Sequence, residues 1–304
     1  MKNFSARTAA FSMVNSLLVM DICTIGFIKD REKIPLRNNE KKKARLDQLI
    51  SIAKSGSYKF SFILAIVEKA TDVQNPMSCK EMTERFLRDY REILGLIGSN
   101  NMAESTTALK GLIKILMDDR YSVEERAEVL LPEYLRLLKF YNELDVITDP
   151  AKAERLPLAK KITDYAAELG ISPGHPVVTV CVASIYGCKD ARKILKVNSE
   201  GEFNPSNALG DIQTFYRMAN VRHLVSGRYP GMKVVFRTED EALENMHTYY
   251  KAVVLHKLDN APLYAIPEID NEKMFPLLFS KKNGSHEAEL DELYQILNFK
   301  KNNN

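Results

Sequence analysis

The chain has 304 residues, of which 45% are hydrophobic, so it can bury a sizeable core as one large domain or as a domain with a large insertion. Its four cysteines form no C-x-x-C pair and no Cys/His cluster, which argues against a structural zinc site or a disulfide framework and indicates a reducing, cytoplasmic environment. The formal net charge of +3 is too small to indicate a nucleic-acid partner by itself.

An apolar run near the start of the sequence, residues 16–20, predicts a short buried strand, because central strands of parallel sheets are apolar on both faces. Asp21 follows directly and is the only charged residue between Thr8 and Ile28. A membrane anchor would bring this charge near the bilayer centre, at a cost of about 3 kcal/mol. We therefore expect a strand that ends in a polar site, and no membrane segment.

The next segment predicts a helix, a strand and a second helix. Asn38 or Asn39 can cap the first helix, and Gly56 ends it. Residues 58–62 form the predicted strand, and Glu68 lies inside the short helix behind it. This order places one acidic residue on a helix that directly follows a strand.

Residues 76–170 show an almost purely helical pattern. Apolar residues recur at spacings of three and four over 82–97, 109–116 and 127–141, as on the buried face of amphipathic helices. The turn at Pro173 closes the block. The pattern predicts an all-helical subdomain over 76–174 that is inserted into the remaining fold.

The last part of the chain returns to alternating elements. Its first apolar run, 177–185, fits either a buried strand or a buried helix, and we favour a helix that continues toward Leu195. The further predicted elements are a helix from Asn207 that carries Asp211, a strand over 232–236, a helix that follows Asp240 and runs through His256, a strand over 262–266 and a helix over 287–297.

Strands and helices thus alternate on both sides of the helical block, which predicts an α/β fold with a parallel sheet. Ligand sites in such sheets lie at the carboxyl ends of the strands, where Asp21 and Asp240 fall. Together with Glu68 and Asp211 they supply the hard oxygen ligands that Mg²⁺ or Mn²⁺ prefers. Such an ion stabilises charge on a phosphate and activates water, which is the chemistry of phosphodiester hydrolysis.

These four acidic segments resemble the motifs of the PIN-like nucleases, in the same order and strand context, over about residues 14–75 and 175–268. The matching features are an apolar strand that ends in Asp21 with Thr24 close behind, Glu68 within an apolar helix, Asp211 early in a later helix, and a strand–turn–helix segment that contains Asp240.

The resemblance implies a PIN-like parallel sheet flanked by helices, with a nuclease core formed by residues 1–75 and 175–304. It implies a Mg²⁺- or Mn²⁺-dependent endonuclease that usually cleaves RNA and sometimes structured DNA, and it suggests the context of a toxin or phage-defence effector. The helical insertion offers a surface for substrate, for a second copy of the chain or for a regulator. The alternative is a non-catalytic interaction or nucleic-acid-binding protein on the same scaffold, and metal dependence discriminates the two.

Secondary candidates surround the four acids. The hydroxyls of Thr24 and Thr238 can bind a metal-bound water or a phosphate, or can instead satisfy local backbone groups. Glu239 or Glu241 can be the ligand in place of Asp240, or a second ligand beside it. Basic side chains that suit a phosphate backbone, with solvated helix faces as the alternative, are Lys41, Lys42, Lys43, Arg45, Arg192, Lys193, Arg217 and Arg222.

Overall fold

The structure is a computed structural model that describes residues 16–35, 39–118, 131–196, 203–258, 261–279 and 286–299. The chain divides into two compact units. Unit 1 comprises Met1–Ala127 and Val221–Asp240, and unit 2 comprises Glu128–Asn220 and Glu241–Asn304. The strands of the described residues are β1 (Ser16–Met20), β2 (Tyr58–Ser61), β3 (Lys233–Arg237), β4 (Tyr250–Leu258) and β5 (Ala261–Ile269).

Most of the described residues are helical. The helices are α1 (Ile22–Lys29), α2 (Glu40–Ser55), α3 (Ile63–Ala70), α4 (Cys79–Ile97), α5 (Thr106–Leu116), α6 (Leu131–Glu143), α7 (Lys152–Glu168), α8 (Pro176–Ile185), α9 (Lys189–Leu195), α10 (Pro205–Arg228), α11 (Glu241–Tyr249), α12 (Asn271–Met274) and α13 (Glu287–Ile296). The fold is therefore mixed α/β, as predicted, with a small sheet flanked by helices.

Unit 1 is built around a parallel sheet in the order β2–β1–β3. Leu18 at the middle of β1 lies opposite Phe60 of β2 and Val235 of β3. All five residues of β1 are buried, as the apolar run predicted for a central strand. Because the three strands are parallel, their carboxyl ends lie at one edge of the sheet.

Local capping explains where the first helices of unit 1 begin and end. The side chain of Asn39 accepts a hydrogen bond from the backbone N–H of Lys42, and Gly56 ends α2 with a φ of 69°, a left-handed conformation that favours glycine. The side chain of Ser78 caps α4 together with Glu81 in a capping box. The start and the end predicted for α2 are both confirmed.

The core of unit 1 joins the sheet to α4 and α5. Phe62 makes an edge-to-face contact with Phe86, their ring centroids 5.2 Å apart, and Phe86 packs against Tyr90 at 5.3 Å. Buried side chains of α4 and α5 belong to the same hydrophobic cluster as those of β1 and β2. The first half of the predicted insertion thus completes the core of the sheet.

The described part of the predicted insertion, 76–174, contains helices and no strand; Met102 forms one isolated parallel bridge with Phe60. The compact units divide this segment differently from the predicted boundaries, because it passes from unit 1 to unit 2 after Ala127. Amphipathic periodicity shows which face of a helix is buried. It does not show which neighbour buries that face, and the predicted domain limits relied on periodicity.

Unit 2 holds a helical core. Every residue of α8 is buried, and the segment is a helix, as favoured from the sequence. The predicted continuation toward Leu195 is interrupted, because Gly187 adopts a φ of 90° and α9 begins only at Lys189. None of the helices in the described ranges is long and apolar enough to cross a membrane.

One predicted helix was wrong in its second half. The helix expected to run through His256 ends at Tyr249, and β4 follows directly. β4 pairs with β5 in an antiparallel two-stranded sheet of unit 2. The strand predicted over 262–266 is confirmed, but it lies in this hairpin and not in the parallel sheet. Aromatic and β-branched residues such as Tyr250, Val253 and Val254 favour a strand, and cross-strand pairing decided the structure.

Candidate acidic site

The candidate site lies at the carboxyl edge of the parallel sheet in unit 1. Asp21 directly follows β1, Glu68 lies on α3 behind β2, and Asp240 comes three residues after β3. The structure therefore brings three of the four predicted acids to the edge at which parallel sheets bind ligands. The fourth, Asp211, belongs to unit 2.

Asp21 is 2% exposed and forms the N-cap of α1. Its Oδ1 accepts a hydrogen bond of 2.7 Å from the backbone N–H of Thr24. The hydroxyl of Thr24 donates to the backbone carbonyl of Arg237 at 2.9 Å. These bonds tie the start of α1 to the end of β3, so Thr24 supports the geometry of the edge through backbone contacts.

Glu68 reaches the same helix terminus from a different segment of the chain. It is half-buried, and its Oε2 accepts a hydrogen bond of 3.1 Å from the backbone N–H of Ile22, the first residue of α1. Two carboxylates, those of Asp21 and Glu68, thus converge on the amino terminus of one helix. That terminus carries roughly half a positive charge, which favours anions.

Asp240 is half-buried and lies in a turn that Thr238 shapes. The backbone N–H of Asp240 donates to Oγ1 of Thr238 at 3.0 Å. Thr238 is fully buried, and this contact is the local backbone role that the sequence left open as an alternative. Glu241 is exposed and opens α11 in unit 2.

Glu239 connects α2 to the end of β3. Its Oε2 accepts from Nε of Arg45 at 2.5 Å, and its Oε1 accepts from Nε of Arg237 at 2.8 Å. Arg237 also donates from Nη1 to Oε1 of Gln48 at 2.8 Å. Two guanidinium groups therefore compensate the charge of Glu239. The ion pair with Glu239 also holds Arg45, which was a candidate for phosphate binding.

Asp211 lies on α10 within unit 2 and is 6% exposed. Its Oδ2 is 3.3 Å from Nζ of Lys196, with which it forms an ion pair. Lys196 ends α9 in a left-handed conformation with a φ of 53°. The role predicted for Asp211 as a fourth metal ligand stays a prediction.

The predicted basic residues differ in environment. Lys41, Lys42 and Lys43 are all exposed on the first turns of α2. Lys193 is exposed but 3.7 Å from Asp190. The other members are engaged or withdrawn from solvent: Arg192 pairs with Asp149 at 2.7 Å, Arg217 is 8% exposed, and burial lowers the pKa of Arg222.

Sequence analysis missed one acid at this edge, Glu104. Its Oε1 accepts from the hydroxyl of Ser61, the last residue of β2, at 2.5 Å, and its Oε2 accepts from the backbone N–H of Phe62 at 3.2 Å. Burial raises the pKa of its carboxyl group. Glu104 follows the isolated bridge between Met102 and Phe60, a long-range pairing that no spacing in the sequence reveals.

The donors at this edge have the chemistry of a hard divalent cation site, since they are carboxylate oxygens. The donor type therefore fits Mg²⁺ or Mn²⁺. Among the residues that the structure describes, no three His, Cys, Asp or Glu side chains are grouped so that they could hold a metal ion.

Comparisons of the chain with protein-family models, with curated proteins and with solved structures find no significant match. The resemblance to PIN-like nucleases consequently rests on the acidic motifs and on their order along the chain. Membership in that family stays a prediction.

Proposed function

We propose that the chain is a metal-dependent nuclease with a PIN-like core, and that RNA is its preferred substrate. The observation that supports this proposal is that acids from three separate chain segments lie at the carboxyl edge of a parallel sheet. Asp21 and Glu68 share one helix terminus, and Asp240 follows the neighbouring strand. Carboxylates in such a position would hold Mg²⁺ or Mn²⁺, and the bound ion would supply the chemistry of phosphodiester hydrolysis.

Electrostatics favour the binding of a cation by Asp21 and Glu68 over a purely structural role of the two carboxylates. Glu68 accepts a hydrogen bond from the backbone N–H of Ile22 and Asp21 accepts one from that of Thr24, only two residues further along the chain. A neutral side chain such as Asn or Ser caps a helix about as well as Asp does, so capping alone does not require two carboxylates. Like charges that share a site repel each other, and a cation relieves that repulsion.

In the proposed site the chain's own residues have separate tasks. Asp21 and Glu68 would bind the cation, and Asp240 at the same edge is the third proposed ligand. Thr24 holds the start of α1 against β3, and Thr238 holds the turn of Asp240. The bound cation would stabilise negative charge on the phosphate and lower the pKa of a water molecule. Thr24 and Thr238 keep the acids in place before substrate arrives.

A cleavage assay tests the proposal. Labelled RNA and DNA are incubated with the purified protein in Mn²⁺, in Mg²⁺ and in EDTA. We expect cleavage of RNA that EDTA abolishes, and at least a 100-fold loss in Asp240→Asn, since even indirect disruption of metal sites costs about 10–100-fold. Asp47→Asn, at an exposed position on α2, is the matched control and should cleave normally.

Wild-type protein that cleaves neither RNA nor DNA in either metal would contradict the proposal and favour the alternative, a non-catalytic protein on this scaffold. Cleavage that persists in Asp240→Asn at the wild-type rate would show that another site acts. Both outcomes need folded protein, which circular dichroism establishes on the same preparations.

A further inference from the structure

We infer that Lys41, Lys42 and Lys43 bind the phosphate backbone of a nucleic-acid strand and lead it to the acidic edge. We call these three residues the basic turn. The inference deepens the proposed function and rests on it for the role of the acidic edge, but the binding of a strand to the basic turn can be measured without cleavage.

The position of the basic turn is unfavourable for helix stability. α2 begins at Glu40, so the three lysines occupy the second to fourth positions of the helix. A helix amino terminus carries partial positive charge and disfavours cations, and adjacent lysines also repel each other. Residues whose local preference conflicts with the structure around them are concentrated at functional sites. The position of the lysines at this helix terminus therefore does not itself favour α2, which is consistent with a binding role.

Arg45 places the basic turn beside the acidic edge. Its Nη2 donates to the backbone carbonyl of Thr238 at 2.6 Å, two residues before Asp240. Lys41 and Lys42 precede Arg45 by four and three residues, so they lie on the same side of α2, within about 6 Å of it along the helix axis. Arg45 is held by Glu239 and acts as the anchor, and the three lysines are exposed to solvent.

The chemistry of the surface favours a nucleic acid over a membrane. Helices that bind membranes present large apolar side chains beside their basic residues. Within the part of the chain that the structure describes, the exposed large hydrophobic side chains include none on α2. The side chain of Asn39 already accepts from the N–H of Lys42 at this helix terminus. The site consists of ammonium groups, which pair with phosphates through charge.

Two charge-matched variants test the inference in EDTA, so that no cleavage takes place. Lys41→Glu/Lys42→Glu alters the basic turn, and Lys110→Glu/Lys114→Glu makes the same charge change at exposed positions of α5 in unit 1. Fluorescence anisotropy follows labelled RNA and DNA oligonucleotides over a range of salt concentrations. We expect the basic-turn variant to bind weakly, with a slope of log affinity against log salt smaller by about 0.7 per lysine.

Thermal unfolding distinguishes a binding role of the lysines from a structural one. If the lysines stabilised α2, their replacement would lower the melting temperature. Glutamate is favourable near a helix amino terminus, so the basic-turn variant should melt at a higher temperature while it loses affinity. A lower melting temperature in the basic-turn variant would contradict the inference. So would equal loss of affinity in both variants, or binding of anionic lipid vesicles but of neither nucleic acid.

The outcomes for this inference and for the proposed function are separable. Selective loss of binding in the basic-turn variant, in a protein that cleaves nothing in any metal, supports the basic turn and contradicts the nuclease. Metal-dependent cleavage that is unchanged in the basic-turn variant, with unchanged affinity, supports the nuclease and overturns the inference.

Discussion

Replacing Asp21 separates a structural carboxylate from a functional one, because Asn and Ala remove different properties. Asn keeps the shape and can still cap α1, as Asn and Asp are about equally good N-caps. Ala removes the acceptor of the 2.7 Å hydrogen bond from the backbone N–H of Thr24. The comparison of Asp21→Asn with Asp21→Ala thus isolates the charge from the cap.

The magnitudes follow from these contacts. Asp21→Ala should lower the free energy of unfolding by about 1–3 kcal/mol, from the lost cap and a buried N–H left without its acceptor. In Asp21→Asn, the lost attraction to the helix terminus is about 0.3–1 kcal/mol and is opposed by relief of repulsion with Glu68. We therefore expect the stability of Asp21→Asn to stay within about 1 kcal/mol of the wild type.

Metal binding distinguishes the variants further. A cation present at a hundredfold excess over its Kd stabilises the folded protein by about 2.7 kcal/mol. Thermal unfolding with and without Mn²⁺ should therefore show a rise of several degrees for wild-type protein and for Asp47→Asn, and no rise for Asp21→Asn. An Asp21→Asn variant that is destabilised as much as Asp21→Ala, and that retains the Mn²⁺ effect and cleavage, would show that Asp21 is a structural cap and not a metal ligand.

Two other predictions concern buried groups. Burial lowers the pKa of His175 from 6.5 to about 3, so the unfolded chain takes up the proton first as the pH falls. The contribution of neutral His175 to the free energy of unfolding is therefore fully present above pH 6.5 and falls by about 2 kcal/mol at pH 5. Urea titrations should show a smaller loss in His175→Asn. Glu104→Ala should cost about 1–3 kcal/mol because Ser61 and Phe62 lose their acceptor, whereas Glu104→Gln, measured in the same urea titrations, should cost less.

The parts of the fold that the sequence predicts correctly are those fixed by neighbouring residues. The buried run of β1 is apolar on both faces, and the caps Asn39 and Gly56 act within one helical turn. Asp21 was placed correctly because it directly follows that run. Where local chemistry determines the conformation, a single sequence contains the needed information.

The missed features depend on contacts between distant residues. Glu239 is bound by Arg45, which lies 194 residues earlier, so its role as an ion-pair partner has no local signal. Glu104 reaches Ser61 across 43 residues, and Tyr250 begins a strand because β5 lies beside it. Helical periodicity continues past Tyr249, so the change to a strand is decided by pairing and not by pattern.

Asp211 and Glu68 show what burial of an acid does and does not imply. For Asp211, the ammonium group of Lys196 at 3.3 Å supplies the positive charge that a buried carboxylate requires, so its position is explained within unit 2. A divalent cation would have to share that carboxylate with Lys196. Glu68 instead brings a second carboxylate to a helix terminus that Asp21 already caps. A cap requires an acceptor and not a second negative charge, so the proposal of a cation site depends on Glu68 more than on Asp211.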